Sequence, residues 1–107
     1  MKIEIEVGTG NVYADLGMED AEAMQVKARL AAKIADIIKR RGLTQVQAAT
    51  LLGMTQPKLS GMLRGQFRGI SEMKMLECLN RLGRDIEIVV RPSRGITHSG
   101  HTQVRFA

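Results

Sequence analysis

The sequence predicts a mainly α-helical domain with a short β-strand toward each end. Three observations carry this. Between Asp20 and Leu82, apolar residues recur at helical spacing in four blocks, each opened by Asp, Thr or Ser and followed by a glycine. Two of the blocks, inside "LTQVQAATLLGMTQPKLSGMLRG", run barely two turns each and abut across one glycine. Outside the blocks, "MKIEIEV" and "RDIEIVVRP" alternate apolar and polar residues at the period of a strand.

The elements follow in chain order. Ile3, Ile5 and Val7 alternate with Lys2, Glu4 and Glu6, a strand broken by "GTGN"; "VYADLG" then reads as extended or turning chain. Residues 1–19 thus form a strand and an extended segment. The first helix starts at an Asp20 cap, with Glu22 near the positive end of the helix dipole. Leu30, Ile34, Ile37 and Ile38, backed by Ala23, Val26 and Ala31, make its apolar stripe. Lys39, Arg40 and Arg41 suit its C-terminal end, and Gly42 supplies the left-handed stop.

Thr44 caps the second helix and, with Gln47 three residues on, forms a capping box; Gly53 ends that helix. Thr55 caps the third helix, whose first turn tolerates Pro57 because amides there lack intrahelical partners. Met54 and Leu59 are spaced as a hydrophobic staple, and Gly65 closes the helix. The fourth helix runs from a Ser71 cap to Leu82, with Met75, Leu76, Leu79 and Leu82 inward and Gly83 as its stop. These helices make a unit over residues 20–83. Residues 84–107 bring the strand Arg84–Arg91, ended by Pro92, and a polar tail that either pairs as a last strand or frays.

Composition narrows the function. A chain of 107 residues with 44% hydrophobic and 25% charged content is one globular domain rather than a disordered segment. With Tyr13, Phe67 and Phe106 as its aromatics, it lacks stacking platforms for single-stranded nucleic acid. One cysteine, Cys78, fits a reducing cytoplasm, and as a small residue of the fourth helix it reads as core rather than nucleophile. "MKIEIEVGTG" lacks the apolar stretch of a secretory leader, and no apolar run approaches the ~20 residues of a membrane helix. Charge is unevenly placed. Met1–Asp36 holds four bases and seven acids, whereas Ile37–Ser71 holds Lys39, Arg40, Arg41, Lys58, Arg64 and Arg68 and no acid. That window contains the two abutting helices. A polyanion is the partner it suits, against the alternative of a merely solvated basic face.

Two helices too short to stand alone make sense when packed steeply against each other as a helix-turn-helix. Counting Gln45 as the first of twenty positions, Ala49 falls where the helices approach and only a small side chain fits. Gly53 falls in the turn, where the backbone is left-handed. Leu59 and Met62 are the knobs that lock the third helix onto the second, and Ala48, Leu52 and Met54 fill the other buried positions. The competing reading is an αα-hairpin with no role in nucleic-acid binding.

The segment from Asp20 to Leu82 resembles the helix-turn-helix domain of the lambda repressor and Cro superfamily, the XRE family. "NVYADLG", "RGLTQ", "QPKLSGMLRGQFRG" and "LGRDIEIVVRP" together resemble the HigA-type antitoxins and their small relatives. The resemblance implies a lambda-repressor-like bundle that binds double-stranded operator DNA as a homodimer. It implies a bacterial or phage repressor, cytoplasmic and associated with the nucleoid when DNA-bound, and a RelE-like toxin as partner in the antitoxin branch. A second reading makes the protein mainly a toxin-neutralising interaction module whose helix-turn-helix is structural.

In this architecture the third helix enters the major groove. With Leu59, Met62 and Leu63 inward, its exposed face would be Gln56, Pro57, Ser60, Gly61 and Arg64, with Lys58 flanking. Gln56 matches the base-reading position of the family, and a glutamine amide pairs bidentately with adenine. Lys58 suits a guanine edge or a phosphate, and Ser60 suits either base or backbone. Thr44, Gln45, Thr55, Arg64 and Arg68 are the expected phosphate contacts. Ile86, Ile88 and Val90, one face of the C-terminal strand, are the expected dimer interface, with a monomer closed by an internal hairpin as the alternative. Pairing of this strand with Met1–Val7 would complete a small sheet. His98 and His101 have HxxH spacing but no third ligand in sequence, so they read as a solvated pair. Nothing in the sequence calls for an enzyme or a cofactor.

Overall fold

The computed structural model describes residues 20–97 and 99–107. Four helices follow in order: α1 (Ala21–Arg40), α2 (Gln45–Leu52), α3 (Gln56–Leu63) and α4 (Glu72–Arg81). The N-terminal strand expected over Met1–Val7, any sheet it would complete, and His98 lie outside the described residues.

α1 is the spine. Its buried Met24, Val26, Leu30, Ala31, Ile34, Ile37 and Ile38 pack on α4 most extensively, and also on α3. The short helices contribute few but fully enclosed side chains: Ala48, Ala49 and Leu52 from α2, Leu59 and Met62 from α3. Met75, Cys78 and Leu79 of α4 close the core, with Phe67 and Ile70 of the α3–α4 connection beneath them. Each fully buried Leu is worth roughly 1.5–3 kcal/mol, so two-turn helices persist by burial rather than by propensity.

Local chemistry sets the boundaries. Thr44 Oγ1 accepts from the Gln47 amide at 3.1 Å, and the Gln47 side chain accepts from the Thr44 amide at 2.9 Å, a complete capping box. Thr55 and Ser71 accept from the Lys58 and Lys74 amides in the same way. Gly53 adopts φ +66°, which ends α2 and turns the chain into α3. The last turn of α2 has a second support. Arg81 of α4 donates to the Leu51 carbonyl at 3.3 Å, and Lys74 donates to the Leu52 carbonyl at 3.4 Å. Both cations sit at the negative end of the α2 dipole, held by Glu77 between them.

Three expectations need correction. Asp20 stands at the N-cap position of α1 but makes no capping hydrogen bond, because its carboxylate is drawn to Arg68 instead. Arg84–Arg91 is not a strand: among the described residues no strand exists, and residues 85–92 make no backbone hydrogen bond. Alternation alone does not make a strand when no partner ladder lies alongside. The tail neither pairs nor frays but lies along α1. Glu22 accepts from the Thr102 amide at 2.7 Å and contacts His101 Nδ1 at 3.0 Å. Farther along, the Phe106 ring lies 5.6 Å from the Arg29 guanidinium and 5.2 Å from Lys33 Nζ, and half-buried Val104 packs on the core. His101 is therefore engaged rather than simply solvated. Partial burial pushes the Glu22 carboxyl up, but the Thr102 amide and His101 outweigh it and leave Glu22 below the usual carboxylate range.

Candidate nucleic-acid interface

The outward positions of α2 and α3 follow from their packing. Because Leu59 and Met62 point into the core, the opposite side of α3 is turned outward, and Gln56, Pro57 and Lys58 are exposed at its first turn. The Thr55 hydroxyl fixes that turn through the Lys58 amide at 3.3 Å. The N-terminus of α2 exposes Thr44, Gln45 and Val46. The first amides of each helix have no intrahelical acceptor and carry the positive end of the dipole.

Ser60 is half-buried and already engaged: its hydroxyl oxygen accepts from Arg64 Nη1 at 2.7 Å, one turn on. Ser60, expected to suit either base or backbone, thus also supports an arginine, while its own O–H proton remains available. Arg64 stays exposed at the end of α3.

Arg68, an expected phosphate contact, is also engaged within the fold: its Nη1 lies 2.5 Å from Asp20 Oδ2, and its carbonyl accepts from Lys27 Nζ at 2.9 Å. The connection between α3 and α4 is therefore tied to the start of α1 at two points. Arg68 remains 57% exposed in its side chain, so it still contributes positive potential to the surface.

Gly61 is corrected outright. It is buried rather than on the outward face, and a Cβ there would stand 3.2 Å from Gln66 Oε1. The Gln66 amide donates to the Gly61 carbonyl at 2.8 Å, so glycine makes room for the returning chain. Of the basic cluster at the end of α1, Arg40 pairs with Asp36 at 3.1 Å, while Lys39 and Arg41 are exposed.

Thr44, Gln45, Thr55, Gln56, Lys58 and Arg64 are exposed, and Ser60 half-buried, on the two contacting helices α2 and α3 and their caps, with Arg68 in the connection that follows α3. Ile86, Ile88 and Val90 belong to a separate arm beyond α4. Cys78 is buried and burial pushes its thiol up, which makes it a core residue facing Met54 Sδ at 3.8 Å. Sequence reading missed Lys74 and Arg81, whose role in steadying α2 depends on partners 22 and 30 residues away. No helix among the described residues is long and apolar enough to cross a membrane.

Comparison with known proteins agrees with this geometry. A family described as "Helix-turn-helix domain" matches residues 12–91. Among curated proteins, none matches the chain. A solved structure described as "Putative XRE Family Transcriptional Regulator" superposes with a TM-score of 0.74 at 36% identity, over 82% of this chain and 99% of the other. The family match runs past the last helix to residue 91. Family membership and shared fold together give one conclusion: the chain belongs to the XRE-type helix-turn-helix family.

Proposed function

We propose that the protein is a sequence-specific DNA-binding transcriptional repressor acting as a homodimer on operator DNA. The observation that carries this reading is the first turn of α3. Gln56 and Lys58 are exposed at the end of a helix whose opposite side is locked into the core. In this reading α3 enters the major groove N-terminus first. Gln56 pairs with adenine N6 and N7, Lys58 reaches a guanine edge, and Ser60 donates its hydroxyl proton to a neighbouring acceptor. Thr44, Gln45 and Thr55 meet phosphates beside the free amides of their helices, and Arg64 and Arg68 hold the backbone on the far side.

Specific affinity from so small a reader calls for two half-sites. The arm carrying Ile86, Ile88 and Val90 is the surface that would join two copies, since these apolar side chains are 36%, 71% and 90% exposed. Repression of the protein's own operon, and a RelE-like toxin as second partner, rest on the resemblance to HigA-type proteins alone.

A salt titration tests the DNA reading. Affinity for a selected duplex should fall steeply between low and physiological ionic strength, because Lys58, Arg64, Arg68 and their dimer mates displace counterions. Affinity that does not change with salt would overturn the phosphate-clamp arrangement.

A further inference from the structure

The connection between α3 and α4 contains a tight turn with its ends sunk in the core and its tip in solvent. Phe67 and Ile70 are buried, and the Ile70 amide donates to the Phe67 carbonyl at 3.0 Å. Arg68 and Gly69 between them are exposed. The tip lies against α1. Asp20 and half-buried Lys27 stand nearly two helical turns apart, which places them on one face of α1, about 10 Å from each other. Arg68 meets both, its guanidinium at Asp20 and its carbonyl at the Lys27 ammonium, 2.9 Å away.

A four-residue turn of this kind has two common forms, which differ by a flip of the central peptide, here Arg68–Gly69. The flipped form needs a positive φ at the third residue, and glycine there admits both. In the structure Gly69 has a negative φ and the Arg68 carbonyl faces α1. The peptide is trans, so the N–H that follows points opposite to that carbonyl. The Gly69 amide is thus turned away from α1. It makes no backbone hydrogen bond among the described residues, and a Cβ on Gly69 would meet nothing within 4 Å. In the flipped form the same amide would face the Lys27 ammonium, donor against donor.

We infer that Lys27 is a positioning residue for DNA binding: by holding the Arg68 carbonyl it fixes the turn in the form that presents the Gly69 amide outward, next to the Arg68 side chain, to a backbone phosphate. The inference rests on the DNA reading above, in which Arg68 meets phosphate, and adds the Gly69 amide and its support to that contact. A backbone N–H and a guanidinium on neighbouring residues are both donors suited to phosphate oxygens. Lys27 acts here through the orientation of a peptide and not by touching DNA.

Affinities of the full chain for a selected duplex and a scrambled one test it. Lys27→Met keeps much of the side chain's length but cannot donate. It should weaken both duplexes about threefold to tenfold, the range of one hydrogen bond. Adding Gly69→Ala should restore most of that loss. Alanine fits the open space at position 69 and resists a positive φ, so it holds the turn without the lysine. A lysine that acted by its charge, or touched phosphate itself, would not be replaced in this way. Weakened binding by Lys27→Met with no recovery in the double variant therefore overturns the positioning role. Parent affinity in Lys27→Met overturns it too, and leaves the phosphate contact standing if Arg68→Ala weakens both duplexes. Parent affinity in Arg68→Ala overturns the phosphate contact and this inference with it.

Discussion

Arg68 Nη1 lies 2.5 Å from Asp20 Oδ2, joining the connection after α3 to the cap position of α1 across 48 residues of sequence. Both side chains are substantially exposed, so the pair adds little to stability. Its effect is on the surface field, where a carboxylate partly cancels the arginine expected to meet phosphate. Asp20→Asn should therefore tighten binding to all duplexes and steepen the salt dependence, without altering the preferred sequence. Parallel titrations on a specific and a scrambled duplex measure this, and unchanged affinity for both would remove Asp20 from the account.

Reading and clamping are separable. Gln56→Ala should lose about 1–3 kcal/mol at the cognate site and relax preference at one position of each half-site. Arg68→Ala should weaken every duplex alike and lower the salt slope by about one per protomer. Binding-site selection on the parent and both variants distinguishes them. If Gln56→Ala retains the full preference while Arg68→Ala changes it, α3 is docked wrongly.

The turn of the helix-turn-helix yields a stability comparison. Gly42 and Gly53 share nearly the same left-handed conformation, at φ +67° and +66°, but a Cβ at Gly42 meets nothing within 4 Å. A Cβ at Gly53 would stand 2.9 Å from Arg81 Nη1. Gly42→Ala should cost about 1–2 kcal/mol from backbone conformation alone. Gly53→Ala should cost more, because Arg81 must also release the Leu51 carbonyl. Thermal unfolding resolves the difference at roughly 4–8 °C per kcal/mol, and equal losses would mean that Arg81 moves freely.

The tail contact is pH-dependent with a definite sign. Glu22 is held below the usual carboxylate range in the folded chain. Its contribution is thus complete above the unfolded glutamate value of roughly 4.3 and is lost as pH falls through the lower folded value. Amide exchange at Thr102 should speed up over that acid window. Glu22→Gln should show fast exchange at neutral pH, and slow exchange in that variant would assign the tail's order to Phe106 instead.

Removing residues 84–107 tests the division of labour along the chain. The buried core runs from Met24 to Leu82, and the truncation takes from it only the half-buried Val104 packed against it. The truncated protein should fold as a helical unit, sediment as a monomer and lose most operator affinity. A truncated dimer would move the interface onto the helices.

Much of this was legible in the sequence because caps and turns are local chemistry. Thr44 with Gln47, Thr55 with Lys58 and Ser71 with Lys74 each act within three residues, and the helix boundaries follow them. What was illegible depends on distant partners. Asp20 reads as a cap until Arg68 arrives, and Gly61 reads as outward until Gln66 folds back over it. Phe106 gives no hint in sequence of Arg29 and Lys33. Ile86, Ile88 and Val90 alternate like a strand, yet a ladder needs backbone hydrogen bonds to a second segment, and residues 85–92 make none among the described residues.

Among the described residues, Gln56 and Lys58 commit no side-chain hydrogen bond to holding the molecule together, whereas α2 is pinned from behind by Lys74 and Arg81. The consequence is an exchangeable address on a fixed reader. Two side chains on α3 can be rewritten by mutation, and the operator they select with them, while the scaffold that presents them keeps its shape.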